Sequence, residues 1–418
     1  MSIPTLKILI AGGGIAGHSL AFWLTKTRLD ISITIVERAS EPRTTGQAVD
    51  IRDAAVELMK RMGIEEQVRA KHTTEQGLAF VNSSGKIIAE IAATGDAKNQ
   101  SATSEYEILR ADLTQILLEA VEKRSHINYI YNDKITSLTQ TEHEVHVTFQ
   151  GGTKDTFHLV VAADGATSKT RNLILDEEVT KDCYKFLGQY TAFFSIPSQP
   201  EDTKLWLWYN APPGRMISTR PHQNPATIGA YLAITTPSHS KKDPKVEEIL
   251  EKGVEQQKTM LHEYFGEAGW QSKRILAGMD VATDFYMSRI AKVRLSKWTN
   301  ERGAVLGDAA VATMGTGTSL AIAGAYILAG ELSKIKSSAD IPSALTRYEE
   351  VLRPLTNKSQ GMPAIFPQAL SPQKDWGIKV LNSILWALSK LKAFKLLGMI
   401  GEIPGNDYKL PEYEWRDD

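Results

Sequence analysis

The sequence predicts an α/β protein: a Rossmann-like nucleotide-binding domain, interrupted by an antiparallel-sheet domain and finished by a C-terminal helix. Three stretches predict it. The first is Leu6-Lys7-Ile8-Leu9-Ile10-Ala11, a short apolar run that reads as a strand buried on both faces. Gly12, Gly14 and Gly17 follow at G-x-G-x-x-G spacing, and Ile15 to Thr27 carries a helix pattern. A second apolar run, Ile31 to Val36, ends in Glu37, 20 residues beyond Gly17. Strand, tight turn, helix, strand and acid in that order form a dinucleotide-binding fingerprint. Gly12 makes the turn, Gly14 lets a pyrophosphate reach the backbone, and Gly17 lets the helix lie close to the strand. The helix start offers free N–H groups to phosphates. Glu37 offers a carboxylate to the two hydroxyls of an adenosine ribose.

The second stretch is His158-Leu159-Val160-Val161-Ala162-Ala163-Asp164-Gly165, a buried strand running into an Asp-Gly turn, with Ser168 and Arg171 opening a helix. The third is Gly303-Ala304-Val305-Leu306-Gly307-Asp308, again a strand ending in Gly-Asp. Gly315-Thr316-Gly317-Thr318-Ser319 then opens a long small-residue helix to about Leu332. Small residues let helices pack closely and let a ligand lie against the helix start.

The segments between follow in order. Ala54 to Met62 reads as a helix closed by Gly63, and Phe80-Val81 with Lys86 to Ile91 as a β-hairpin. Gly95 to Thr103 is a polar loop. Leu109-Arg110-Ala111-Asp112-Leu113 enters a helix running to about Glu122. Ile127 to Tyr131, Ile135 to Thr139 and Glu144 to Phe149 read as a small β-meander. Alternating strands at Tyr190 to Ile196, Lys204 to Tyr209, Arg215 to Arg220 and Thr227 to Thr235 predict an antiparallel sheet with one buried face. Pro244 to Phe265 reads as one or two helices. The predicted boundaries are 1–75, 100–180 and 290–370 for the nucleotide-binding domain, 76–99 and 181–289 for the inserted domain, and 371–418 for a bridging helix and tail.

Composition narrows the function. The 418 residues carry a net charge of −1, which leaves no electrostatic footprint for nucleic acid. The single cysteine, Cys183, excludes an internal disulfide or a thiolate metal site and reads as a packed small hydrophobe. The nine histidines show no metal spacing, so no metal is expected. No basic segment with an apolar core opens the chain, and a cytoplasmic location is the expectation. In the C-terminal stretch Trp376 to Ile400, Ile378, Leu381, Ile384, Leu385, Leu388 and Leu391 recur at helical spacing. One reading is a helix that bridges the domains and covers the substrate entrance. The other is a basic amphipathic helix on a membrane surface.

The three motifs in this order resemble the class A flavoprotein monooxygenases of the p-hydroxybenzoate hydroxylase type. The chain is most similar there to the tetracycline-inactivating monooxygenases and to fungal biosynthetic flavoprotein hydroxylases. The resemblance spans roughly residues 5 to 350. It implies a Rossmann-like FAD-binding domain in which Gly12, Gly14, Ile15, Ala16 and Gly17 hold the FAD pyrophosphate, Glu37 the ribose and Arg38 the adenine side. It assigns Arg110 to FAD, Asp164 to the second fingerprint near the pyrophosphate, and Asp308 to the ribityl chain. It places Gly315, Gly317, Thr318 and Ser319 beside the flavin pyrimidine edge, where a positive helix end favours the anionic reduced flavin. Asp50 and Arg215 match positions that face flavin or substrate, and stand as the catalytic candidates.

The implied reaction consumes NADPH or NADH, which visits transiently, and O2. A flavin C4a-hydroperoxide then passes one oxygen atom to a mid-sized organic substrate, by hydroxylation, epoxidation or Baeyer-Villiger insertion. An oxidase or a redox-neutral cyclase on the same fold is the alternative. The chain departs from the family pattern at Val311, Ser319 and Gly324, and no proline stands between Val311 and Gly315. Trp206-Leu207-Trp208 resembles the W-x-W of flavin-dependent halogenases and reads as sheet core or pocket wall. His222 is a candidate for binding a phenolate, or a half-exposed strand residue. A monomer or homodimer is expected.

Overall fold

The computed structural model describes residues 5–42, 45–93, 106–122, 124, 126–359, 363–391, 393 and 408–416. The predicted loop at Gly95 to Thr103 and the end of the C-terminal helix, from 394 to Ile400, lie outside the described residues.

The first strand, Leu6–Ala11, sits near the middle of a six-stranded sheet. Its neighbours are Ile31–Glu37 on one side and Leu159–Ala162 on the other, both parallel to it. Ile127–Tyr131 and Gly303–Val305 extend the parallel order outward, and Thr299–Asn300 closes one edge antiparallel. All three predicted motif strands therefore lie side by side and end at the same edge. The reason is visible in their sequences: continuous apolar runs need cover on both faces. The two helices that supply part of it, Ile15–Thr25 and Gly317–Leu332, are themselves apolar on nearly every side and are buried accordingly.

The meander differs from expectation. Its strands are Ile135–Gln140, Val145–Phe149 and Lys154–Phe157, while Ile127–Tyr131 belongs to the parallel sheet. That strand runs parallel to Ile31–Glu37 as the outer strand of the sheet, with Ile33 opposite Ile127.

The inserted sheet has seven strands, in the order Tyr286–Val293, Tyr184–Pro197, Thr227–Thr235, Arg215–Pro221, Trp206–Ala211, Gly77–Val81 and Ile87–Ala92. Every pair is antiparallel except Trp206–Ala211 with Gly77–Val81. The hairpin predicted near residue 80 is thus the sheet's far edge. Strand alternation sorts its side chains. Tyr190, Phe194, Tyr209 and Ile217 pack under three helices, Pro244–Leu250, Val254–Phe265 and Ser272–Val281. Phe193, Trp206, Trp208, Met216, Ser218, Arg220 and Tyr231 carry the opposite parity, and Trp208 and Met216 there share a cluster with Phe80 and Leu385. A two-stranded ribbon, Ala48–Asp50 with Glu107–Leu109, also lies between the fingerprint motifs in the chain.

The helix Asp375–Lys390 packs against the far edge of that sheet, with Leu385 buried and Leu381 and Leu388 half-buried. The predicted apolar stripe is only partly covered, since Ile384 is 48% and Leu391 75% exposed. After it, residues 408–416 return to the first domain. Tyr413 donates to Glu331 at 2.9 Å. Trp415 packs 4.9 Å from Trp23 and 5.3 Å from Tyr326, and Arg416 N–H bonds the Lys26 carbonyl at 2.7 Å. Gly330 makes room for the Tyr413 ring, which lies 2.2 Å from where a Cβ would stand.

His18, on the helix Ile15–Thr25, is 2% exposed, and its ring nitrogens make no hydrogen bond. Burial lowers its pKa from 6.5 to about 4. The unfolded chain therefore takes up a proton below pH 6.5 that the folded chain refuses until about pH 4. Stability is full above that window and falls on acidification through it, by about 3 kcal/mol for this group. Thermal denaturation midpoints between pH 7 and 4.5 should decline, and His18→Leu should remove part of the decline. The same slope in the variant would show that His18 is not its source.

Candidate active site

The site forms where the three parallel strands end. A Cβ at Gly17 would lie 2.0 Å from the Gly12 carbonyl oxygen, so only glycine lets the helix reach the turn. Gly12 itself has φ +113°, and its backbone lies against Ala163 and Asp164. In front of Gly14 there is nothing within 4 Å of a Cβ position. That contrast separates two glycines that permit packing from one that faces open space. The helix behind it has no side-chain cap and no acidic residue in its first turn, which leaves its leading N–H groups available.

Glu37 accepts from Gly13 N–H at 2.9 Å and from Ala39 N–H at 3.0 Å. These bonds fix the carboxylate beside the turn while leaving lone pairs on both oxygens. Arg38 is exposed next to it. Asp164 is occupied locally: Ser168 Oγ donates to one oxygen, and Thr170 N–H and Oγ1 reach the other at 3.3 and 3.0 Å. Its carboxylate thus holds the Asp-Gly turn in shape. Arg171, 4% exposed, ties that turn to the third motif by donating to Ala166 at 3.0 Å and Ala309 at 3.1 Å.

Gly307 lies against Ala16, where a Cβ would stand 2.7 Å from the alanine methyl. This contact brings Asp308 to the glycine turn. Asp308 sits in a cleft that water still enters on one side, with Arg110 Nη2 at 3.9 Å. Burial raises its pKa, and the Arg110 charge opposes the rise. Asp308 Oδ1 is 3.2 Å from the Gly317 Cβ position, so the carboxylate lies at the start of the helix Gly317–Leu332, whose first turn is also uncapped. Thr318 is half-buried there, and Ser319 Oγ accepts from Arg52 N–H at 2.9 Å. Gly315 has φ +88° and is exposed in the turn before. Asp50 pairs with Arg52 at 3.3 Å, and its Oδ1 is buried with no hydrogen-bond partner.

Arg215, predicted from sequence as a catalytic residue, is not brought toward the cleft. It lies on the helix-covered face of the seven-stranded sheet, donating to the carbonyls of Tyr264, at 2.5 Å, and Pro212. The physical reason is parity: Arg215 shares its face with Ile217. The catalytic role expected of it is therefore withdrawn. Arg220 has the opposite parity. It donates through Nε to Glu75 at 2.7 Å and through Nη2 to Glu107, and its guanidinium lies 4.2 Å from the Trp206 ring centroid. Burial pushes the Glu107 carboxyl well above the usual range, and the Arg220 charge opposes that. Sequence reasoning missed Glu75 and Glu107, which stand 145 and 113 residues from Arg220 and carry no motif.

The residues present suit a flavin dinucleotide. The empty space at Gly14, two uncapped helix starts, the deep Asp308 carboxylate and the orphaned Asp50 Oδ1 are a set of complementary vacant partners. Among the described residues no group of acidic, histidine or cysteine side chains fits a metal ion.

Comparison with known proteins agrees. The FAD binding domain family matches residues 5–359. The chain is 33% identical to the FAD-dependent monooxygenase asL6 of Sarocladium schorii, over 98% of each sequence. It is 34% identical to the monooxygenase CTB7 of Cercospora beticola, over 99% of each. Among solved structures, that of the tetracycline destructase Tet(51) superposes with a TM-score of 0.76 at 29% identity, covering 99% of this chain and 100% of that one.

Extraction of the purified protein should yield FAD and not FMN, because the fingerprint assigns Glu37 to an adenosine ribose that FMN lacks. Gly14→Val should abolish flavin binding by filling the open space. Asp308→Ala should weaken it by about 1.5–3 kcal/mol, the value of a hydrogen bond to a charged group. Flavin retained on dialysis by both variants would place the cofactor elsewhere.

Proposed function

This chain belongs to the FAD-dependent monooxygenases, and from that premise we propose that it consumes NAD(P)H and O2 to insert one oxygen atom into a mid-sized, mainly apolar organic substrate. The observation that carries the proposal is the meeting of two halves. The vacant partners around Gly14, Arg110, Asp308 and Gly317 lie in the parallel-sheet half. The inserted sheet contributes Phe193, Trp206, Trp208, Met216 and Tyr231 on one face.

Gly14 and the first turn at Ile15 and Ala16 would hold the FAD pyrophosphate, Glu37 and Arg38 the adenosine side, Arg110 and Asp308 the ribityl chain, and Gly315 to Ser319 the pyrimidine edge. Bound FAD would supply the redox chemistry, taking electrons from NAD(P)H and activating O2. The protein's own part is positional and electrostatic. The start of the helix Gly317–Leu332 presents a positive dipole end, which favours negative charge on whatever lies against it. The aromatic face gives a flat, dry surface on which an apolar ring system can be held. The helix Asp375–Lys390 packs over the outer end of that surface, with Leu381, Leu385 and Leu388 turned to it. Water exclusion of this kind protects a reactive oxygen species from being wasted. Met314, from the turn before the long helix, joins the same apolar cluster and links the two halves.

The test is an oxygen-label experiment. A panel of neutral polycyclic and aromatic compounds is screened for NAD(P)H oxidation above background, and products are weighed after turnover under labelled O2. One labelled atom per product, with NAD(P)H consumed in equal amount, is expected. Product lacking the label while NAD(P)H stays untouched would make the protein a redox-neutral flavoprotein.

A further inference from the structure

Beside the cofactor cleft is a cavity of about 50 Å³, enough for a small polar group, since one water needs only about 10–15 Å³. Gly46, Leu109 and Ala111, the neighbours of Arg110 in space or sequence, form one wall. Phe193, His222, Tyr231 and Tyr286 form the other. Two of its polar pairs are closed on themselves. Asp284 accepts from Ser195 N–H at 2.9 Å and from its hydroxyl at 2.6 Å, and Tyr286 donates to the Gln47 side chain.

Two polar groups remain unused. The Tyr231 hydroxyl is buried with the Ala48 amide on its oxygen side, and its own proton has no acceptor among the described residues. His222 shares Nδ1 with Thr227 Oγ1 at 3.2 Å, and its Nε2 has no partner among the described residues. With the Thr227 hydroxyl donating, Nε2 carries the proton and becomes a donor. The space exists because residue 229 is glycine: a Cβ there would stand 2.8 Å from His222 Nε2 and 3.5 Å from the Tyr231 ring. Arg220, 6% exposed and paired with Gly229 across the strands, makes all its recorded bonds through Nε and Nη2, so Nη1 also lacks a partner among the described residues.

Charge decides what such a group of donors takes. Arg220 is already countered by Glu75 and Glu107, both packed against it. Burial keeps His222 neutral, with a pKa lowered to about 4, and holds the Tyr231 proton in place. No uncompensated positive charge remains, so a buried carboxylate or phenolate would be desolvated without an ion partner. A neutral acceptor meets no such cost. The stacked pair Phe193 and Tyr286, 5.0 Å apart and 19° from parallel, flanks the opening with flat apolar surface.

Resting on the monooxygenase reading, we infer that Tyr231 and His222 form a subsite for the neutral carbonyl oxygen of a ring ketone, and that this subsite selects ketone substrates over carboxylates.

The test measures binding to the flavin-loaded enzyme by tryptophan fluorescence and calorimetry, with three bicyclic ligands: 1-tetralone, tetralin and 1-naphthoate. The ketone should bind about tenfold more tightly than either of the others, the value of one or two neutral hydrogen bonds. Tyr231→Phe should erase the preference at unchanged flavin content. Gly229→Ala should do the same by displacing the His222 ring, whose Nε2 lies 2.8 Å from the added Cβ, with the Tyr231 hydroxyl retained. Tighter binding of naphthoate, equal binding of tetralin, no binding of tetralone, or a preference that survives both variants would each overturn the assignment. A protein that binds no flavin would instead overturn the monooxygenase reading, and the two failures are distinguishable by absorbance before any ligand is added.

Discussion

The structure depends on one backbone contact. Gly17 lies so close to the Gly12 carbonyl that a methyl group would overlap it, at 2.0 Å. This contact sets the angle at which the helix Ile15–Thr25 leaves the first strand. The rest follows from that angle. Ala16 is placed to receive Gly307, which puts Asp308 at the turn. The Asp164 turn closes against Gly12 from the other side, and Arg171 stitches it to Ala309. Three segments separated by well over a hundred residues thereby share one edge, and the space left at Gly14 is what they enclose.

The second organising element is charged. Arg220, Glu75 and Glu107 are almost completely buried, where single charges are expensive and pairs are tolerated only when fully bonded. Thr73 satisfies Glu107 further. The cluster joins the inserted sheet to the ribbon that carries Asp50, since Glu107 and Asp50 are register partners. A cluster of this kind adds little net stability compared with apolar packing, but it permits only one alignment of the sheet on the ribbon.

Much of this was legible in the sequence because the flavin motifs are local. Gly12 to Gly17, Asp164-Gly165 and Asp308 each announce a turn at a strand end within a few residues, and the structure brings all of them together. What was illegible depends on register. Arg215 and Arg220 look equivalent in a strand pattern until the pairing fixes which parity lies under the helices. Ile127–Tyr131 was placed in the meander because an apolar strand does not say which sheet will bury it. Glu75 and Glu107 carry no periodic signal, and their meeting with Arg220 is a property of the tertiary fold alone. The C-terminal stripe announced a helix correctly but not how much of its apolar face would find cover.

The return of residues 408–416 to the first domain bears on how the chain assembles. Trp415 and Tyr413 pack on Trp23 and Tyr326, and Arg416 bonds the carbonyl of Lys26 at the end of the first helix. A chain emerging from the ribosome presents that helix long before these aromatic rings. The six-stranded sheet is likewise incomplete until residues near 305 have been made. Synthesis thus leaves Trp23 without these partners until residues 326 and 415 have been made, and exposed apolar surface of this sort favours aggregation. The aromatic clasp from residues 408–416 covers that tryptophan, so the first folded unit is completed only by a segment made long after it.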